Sequence, residues 1–135
     1  MRFMIIVHSG NRKMLDEGKM PDNLLEQMEQ MGKFNDELVK AGVMETADGL
    51  VPGKSATRLY FPGGGKTPQM TQGPFTSDSW IDGFWIWNVK SKEEAIEWAK
   101  KAPMEDGATL EIRKCANLED FGPEFAEKLK KGEPR

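Results

Sequence analysis

The chain has one cysteine, Cys115, and one histidine, His8, in 135 residues. A single cysteine excludes an internal disulfide and suits a reducing compartment, so a cytoplasmic protein is expected. One cysteine and one histidine make no recognisable ligand set, so neither a metal nor a cofactor is expected. Cys115 has no histidine beside it that would make it a nucleophile. Long apolar runs are also missing: the stretch from Phe3 to Val7 is far too short for a signal peptide or a membrane span. Positive charge is not in excess either. A net charge of -3 provides no general basic field, which argues against nucleic acid or a membrane as partner. A phosphate loop at Gly65-Lys66-Thr67 fails because Tyr60 stands where its first glycine is required.

What remains is one domain, long enough to bury about two-thirds of its unfolded surface. Its nine methionines suit an adaptable core better than a copper or redox site. The stretch from Asp82 to Val89 organises the rest. Phe84 and Ile86 alternate with Trp85 and Trp87, so both faces of this strand are apolar and it must be central. Phe3, Ile5 and Val7 alternate in the same way with Met4, Ile6 and His8 in a first strand.

Residues 11 to 20 are polar and without period, and are expected to form a loop. From Pro21 the period becomes 3.6: Leu24, Leu25, Met28, Met31, Phe34 or Asn35, Leu38 and Val39 form one stripe of a helix that Gly42 closes. A strand from Val43 to Val51 follows, with Asp48-Gly49 as an expected turn. Residues 55–61 and 66–71 pair as a hairpin across Pro62-Gly63-Gly64-Gly65. Ser91 and Glu94 form a capping box, and Ala95, Ile96, Ala99 and Ala102 give the second helix a small-residue face. Ala108, Leu110 and Ile112 then alternate with Thr109, Glu111 and Arg113 in a last strand. Leu118, Phe121, Phe125 and Leu129 mark a tail helix that starts at Gly122-Pro123.

This order is the split βαβ pattern of an α+β, ferredoxin-like βαββαβ sandwich with an inserted β-hairpin and a C-terminal helix. Residues 1–135 form a single domain, with the core in 1–115 and the helical tail in 116–135. Two helices shield only one face of the sheet. Placing Trp85 and Trp87 on the other face leaves an apolar patch that needs a lid, so a homodimer packed sheet to sheet is expected.

The stretches Gln72-Gly73-Pro74-Phe75-Thr76 and Asp82-Gly83-Phe84-Trp85 resemble the YCII-related family, in the branch marked by a DGPF motif. Gly42-Val43, Ala95-Ile96-Glu97-Trp98-Ala99, Leu110-Glu111-Ile112-Arg113 and the tail from Leu118 to Glu124 extend the resemblance over nearly the whole chain. It implies a dimeric α/β barrel. Most of the family has no assigned activity; members that look like lactone isomerase relatives are proposed to use a histidine and an aspartate as acid/base pair in a deep pocket. That histidine follows a proline, whereas the matching stretch here is Pro21-Asp22-Asn23-Leu24, and the leading aspartate of the motif is Gln72. Some relatives are fused to or encoded with sigma factors, which implies a regulatory protein partner as the alternative to a small-molecule role.

For catalysis, His8 at the end of a buried strand has the near-neutral pKa that proton transfer needs, with Asp78 or Asp82 as its partner and Asp36 as another group able to orient it. Arg58 would anchor an anionic substrate. Tyr60, Phe75, Thr76 and Trp80, together with Ser77 and Ser79, would complete a small-ligand pocket between the sheet and the long helix. The competing structural readings are a histidine that merely closes its strand by a hydrogen bond and a loop held by Asx and Ser turns.

Overall fold

Apolar side chains at every second position make β1, Arg2–His8, the first central strand: Phe3, Ile5 and Val7 are buried while Met4, Ile6 and His8 are partly exposed. A computed structural model of the chain describes residues 1–10, 17–51, 53–73, 75 and 81–132. The elements that follow are α1 (Leu24–Lys40), β2 (Met44–Gly49), β3 (Thr57–Tyr60), β4 (Gln69–Gln72), β5 (Ile81–Asn88), α2 (Lys92–Lys100), β6 (Thr109–Lys114) and α3 (Pro123–Lys131). Four strands form one antiparallel sheet in the order β2-β5-β1-β6, and β3 pairs with β4 in a separate hairpin. This is the ferredoxin-like strand order, with the hairpin inserted between the second and third core strands. Among the described residues no helix is long and apolar enough to cross a membrane.

The helices cover the face that carries the tryptophans. Phe34 of α1 meets Trp85, Trp87 and Trp98 edge-on, with ring centroids 5.8, 6.2 and 6.4 Å apart. Register puts Phe3 opposite Trp87 and Ile5 opposite Trp85, and Leu110 and Ile112 of β6 join the same face opposite Val7 and Ile5. Trp87 is fully enclosed and Trp85 nearly so. The indoles therefore point into the core of their own chain, not away from the helices as expected. The open face of the sheet is instead Met4 and Ile6 opposite Ile86 and Phe84, without a tryptophan. It is still apolar at its centre.

α1 ends where the sequence sets its stop. The Gly42 N–H reaches the Val39 carbonyl at 3.0 Å and the Val43 N–H that of Leu38 at 2.9 Å. These two bonds close the helix, and Leu38 and Val43 on either side of the turn are both buried in the core. Not all of the stripe is buried: Leu25 and Met28 near its start and Val39 at its end stay more than 60% exposed, while Phe34 and Leu38 enter the core. Asp48 and Gly49 do not turn but complete β2 opposite Phe84 and Gly83. The hairpin turn is as expected, with Gly63, Gly64 and Gly65 at φ of 86°, 60° and 74°.

Ser91 caps α2, its Oγ accepting from the Glu94 N–H at 3.1 Å. Ser91→Ala is expected to cost about 1 kcal/mol. A lower urea midpoint at unchanged slope would show this, and an unmoved midpoint would mean that the cap contributes nothing. In the tail, Pro123 opens α3, and Lys114 of β6 holds Asp120 at 2.7 Å, which lowers the Asp120 carboxyl below its ordinary value. The Phe121 and Phe125 rings meet at a tilt, with centroids 5.6 Å apart, and stay largely exposed.

Candidate functional site

The end of the sheet where β1 and β2 finish and β5 and β6 begin gathers the polar groups. An unbroken ladder here would follow Val7 opposite Gly83 with His8 opposite Asp82. Instead the register slips between Val7 and His8, so that His8 faces Ile81 and Asp82 is the extra residue of a β-bulge. A bulge turns a side chain away from the alternation of its strand. Asp82 accordingly takes a hydrogen bond from the Ser9 hydroxyl and lies within the field of Glu105. His8 keeps to the open face of the sheet, where its Nε2 stands 2.9 Å from Glu111 Oε1. One inserted residue separates the two groups that the sequence suggests as partners.

Asp82 lines a cavity of about 380 Å³ between α1 and the sheet. Val7, Met31, Trp85 and Met104 supply apolar wall, and Asn35 and Glu105 supply polar groups. The Trp85 indole N–H donates to Asn35 Oδ1 at 2.9 Å. Since an indole nitrogen can only donate, this bond fixes which end of the Asn35 amide is oxygen. Glu105 lies in the loop between α2 and β6, where its Oε1 accepts from the Gly10 N–H at 3.1 Å. Consecutive residues Ser9 and Gly10 thus hold one carboxylate each. Burial is the main cause that raises the Asp82 carboxyl above its ordinary 3.8; the Ser9 bond opposes it and the negative charge of Glu105 adds to it.

The remaining candidates are placed elsewhere. On the open face, Glu111 accepts from His8 first and then from Arg113 Nη1 at 3.1 Å, and these bonds lower its carboxyl below the ordinary value. Asp36 is exposed on α1. Arg58, Tyr60 and Phe75 do come together, but on the hairpin, around a second cavity of about 390 Å³ that shares no lining residue with the first. There the Arg58 guanidinium lies over the Phe75 ring at 3.9 Å, a cation–π contact. Thr76, Asp78 and Trp80, with Ser77 and Ser79, lie outside the described residues.

Asn35, Asp48 and Glu105 are the polar lining residues that sequence reasoning passed over as site residues. Chain topology holds the signal for Glu105. In an antiparallel order the loop before β6 must sit at the same end of the sheet as the loop after β1. A carboxylate in residues 103–108 is therefore placed at the end of the sheet that holds Ser9 and Asp82.

The family model of the YCII-related domain matches residues 1–117, and the chain belongs to that family. None of the curated proteins matches it.

Proposed function

We propose that this YCII-related protein binds a small cyclic or aromatic molecule in the cavity between α1 and the sheet and moves a proton on it. The observation that carries the reading is a half-buried carboxyl, Asp82, raised above its ordinary value and facing a second carboxylate, Glu105, in an apolar-walled cavity. Two such groups with unlike environments divide the work of acid and base. Asp82, which burial makes harder to ionise than a free aspartate, is the acid, and Glu105 is the base. The chemistry is isomerase- or lyase-like, on a carbon made acidic by a neighbouring carbonyl.

Proton transfer of this kind leaves a trace in D₂O. Cyclic ketones and lactones incubated with the protein are expected to take up deuterium beside the carbonyl, at a rate that Asp82→Asn and Glu105→Gln each reduce by a factor of about 10²–10⁴ and His8→Ala does not change. Uptake no faster than in buffer, or undiminished in Asp82→Asn, would remove the proton-transfer reading.

Stability supplies an independent check on Asp82. A carboxyl raised in the folded state stabilises the fold below its unfolded value, and this contribution is lost as pH rises through the folded value. Asp82→Asn cannot ionise. It is therefore expected to melt higher than the parent at pH 7 and at the same temperature below pH 3.8, the ordinary value for the group. A variant that melts lower at pH 7 would contradict the raised carboxyl.

The open face supports a homodimer. Met4, Ile6, Phe84 and Ile86 form its apolar centre, and a second copy of the sheet is the simplest cover. Light scattering should return about twice the 15.2 kDa of one chain, and that mass itself would sink the dimer. The single free cysteine Cys115 supports a cytoplasmic setting, and the Gln72-Gly73-Pro74-Phe75 stretch supports a place in the DGPF branch. The exposed pair Phe121 and Phe125 favours a second reading, a regulatory module whose tail contacts a protein partner such as a sigma factor.

A further inference from the structure

The polar groups of the α1–sheet cavity are unbalanced in sign. Asp82 and Glu105 bring carboxylates to it, Asp48 of β2 is a third acidic residue of its lining, and no lysine, arginine or histidine is among the described residues that line it. Neither of the first two is left to drift. Asp82 is fixed by the Ser9 hydroxyl and Glu105 by the Gly10 N–H. The position is sterically set as well, because a side chain at Gly10 would stand 2.5 Å from the Asp106 carbonyl. Carboxylates drawn out of water and close to each other gain most from a positive partner, and an anion placed against them is repelled. A small inorganic cation is the wrong fit. Among the described residues no three groups of the ligating kinds could hold a metal ion. The apolar part of the wall includes Val7, Met31, Met104 and Trp85, and thioethers beside an indole suit the face or edge of a flat ring.

We propose that this cavity takes an organic cation, an amine or a protonated nitrogen ring carried on a flat apolar body. The cationic nitrogen donates to Asp82 and Glu105, and the ring lies against Met31, Met104 and Trp85. The inference rests on the small-molecule reading above and adds the charge class of the ligand. It also gives Arg58, on the hairpin, no part in holding that ligand.

Three probes of one size and different charge decide it: benzylamine, benzyl alcohol and benzoate, titrated at pH 7 into ¹⁵N-labelled protein while the Gly83 amide and the Trp85 indole N–H are followed. Benzylammonium is expected to bind at least about tenfold more tightly than benzoate, the worth of one charge-assisted hydrogen bond. Asp82→Asn combined with Glu105→Gln should shrink that preference to about threefold or less, and His8→Ala should leave it intact. Benzoate binding as well as the cation, or a preference that survives the double variant, overturns the proposal. If alcohol and benzoate shift these signals and the cation gains nothing, the cavity stands as a binding site and its charge class falls. Silence of both signals with all three probes overturns the cavity reading together with the proposal.

Discussion

Trp87→Ala is expected to destabilise the fold by about 3–5 kcal/mol, a large part of what a domain of this size has. The indole is fully enclosed, in contact with Phe34 and 5.6 Å from the Trp85 ring, so truncation leaves a void that a packed sheet and helix cannot close. The milder change to phenylalanine is more telling, because the two tryptophans differ in one respect. Trp85 Nε1 donates to Asn35, whereas Trp87 Nε1 is buried with no partner among the described residues. A buried donor without an acceptor costs about 1–3 kcal/mol, and removing it recovers that cost. Trp87→Phe should therefore be the cheaper of the two substitutions by about 1–3 kcal/mol, although both remove the same atoms. Urea unfolding of the pair decides the point. If Trp87→Phe costs as much as Trp85→Phe or more, the Trp87 indole nitrogen has an acceptor in the folded protein.

Gly83→Ala is expected to cost about 1–3 kcal/mol and to loosen the cavity end of β2. A Cβ there would stand 2.6 Å from the Asp48 carbonyl oxygen and 3.2 Å from Gly49 Cα, both backbone atoms of the neighbouring strand. No rotamer relieves such a contact, so β2 must move away from β5, and with it one wall of the cavity. Gly32 is the matching control. It lies inside α1 with nothing within 4 Å of a built Cβ, so Gly32→Ala should stabilise by about 0.5–1 kcal/mol. Opposite signs for two substitutions of the same kind are a strict demand, and thermal melts of both variants check it. A neutral Gly83→Ala would show that the two strands have room to spare.

The strands and helices of this fold were legible because their periods differ, and the ferredoxin-like order followed from their sequence. The side to which each strand turns was not. Alternation in Phe84-Trp85-Ile86-Trp87 separates two sets of side chains without saying which set the helices cover, since both are apolar. Burial settles it for the larger rings, which meet Phe34 of α1. The bulge at Asp82 was likewise out of reach. It is a slip of one residue in pairing, and no local residue preference at Asp82-Gly83 requires it. Its consequence is large, because it exchanges His8 for Glu105 as the neighbour of Asp82. The hairpin residues Arg58, Tyr60 and Phe75 line a cavity that is not the one that holds Asp82, since hairpin and main sheet pair separately.

The proposed proton transfer requires Asp82 to be an acid tuned by burial and by Glu105. Carbon-detected NMR titration of the Asp82 side chain measures this directly, in the parent and in Glu105→Gln. The expected midpoint lies above 3.8 in the parent and moves down when the charge at Glu105 is removed. A parent midpoint at or below 3.8, unmoved by Glu105→Gln, would contradict it.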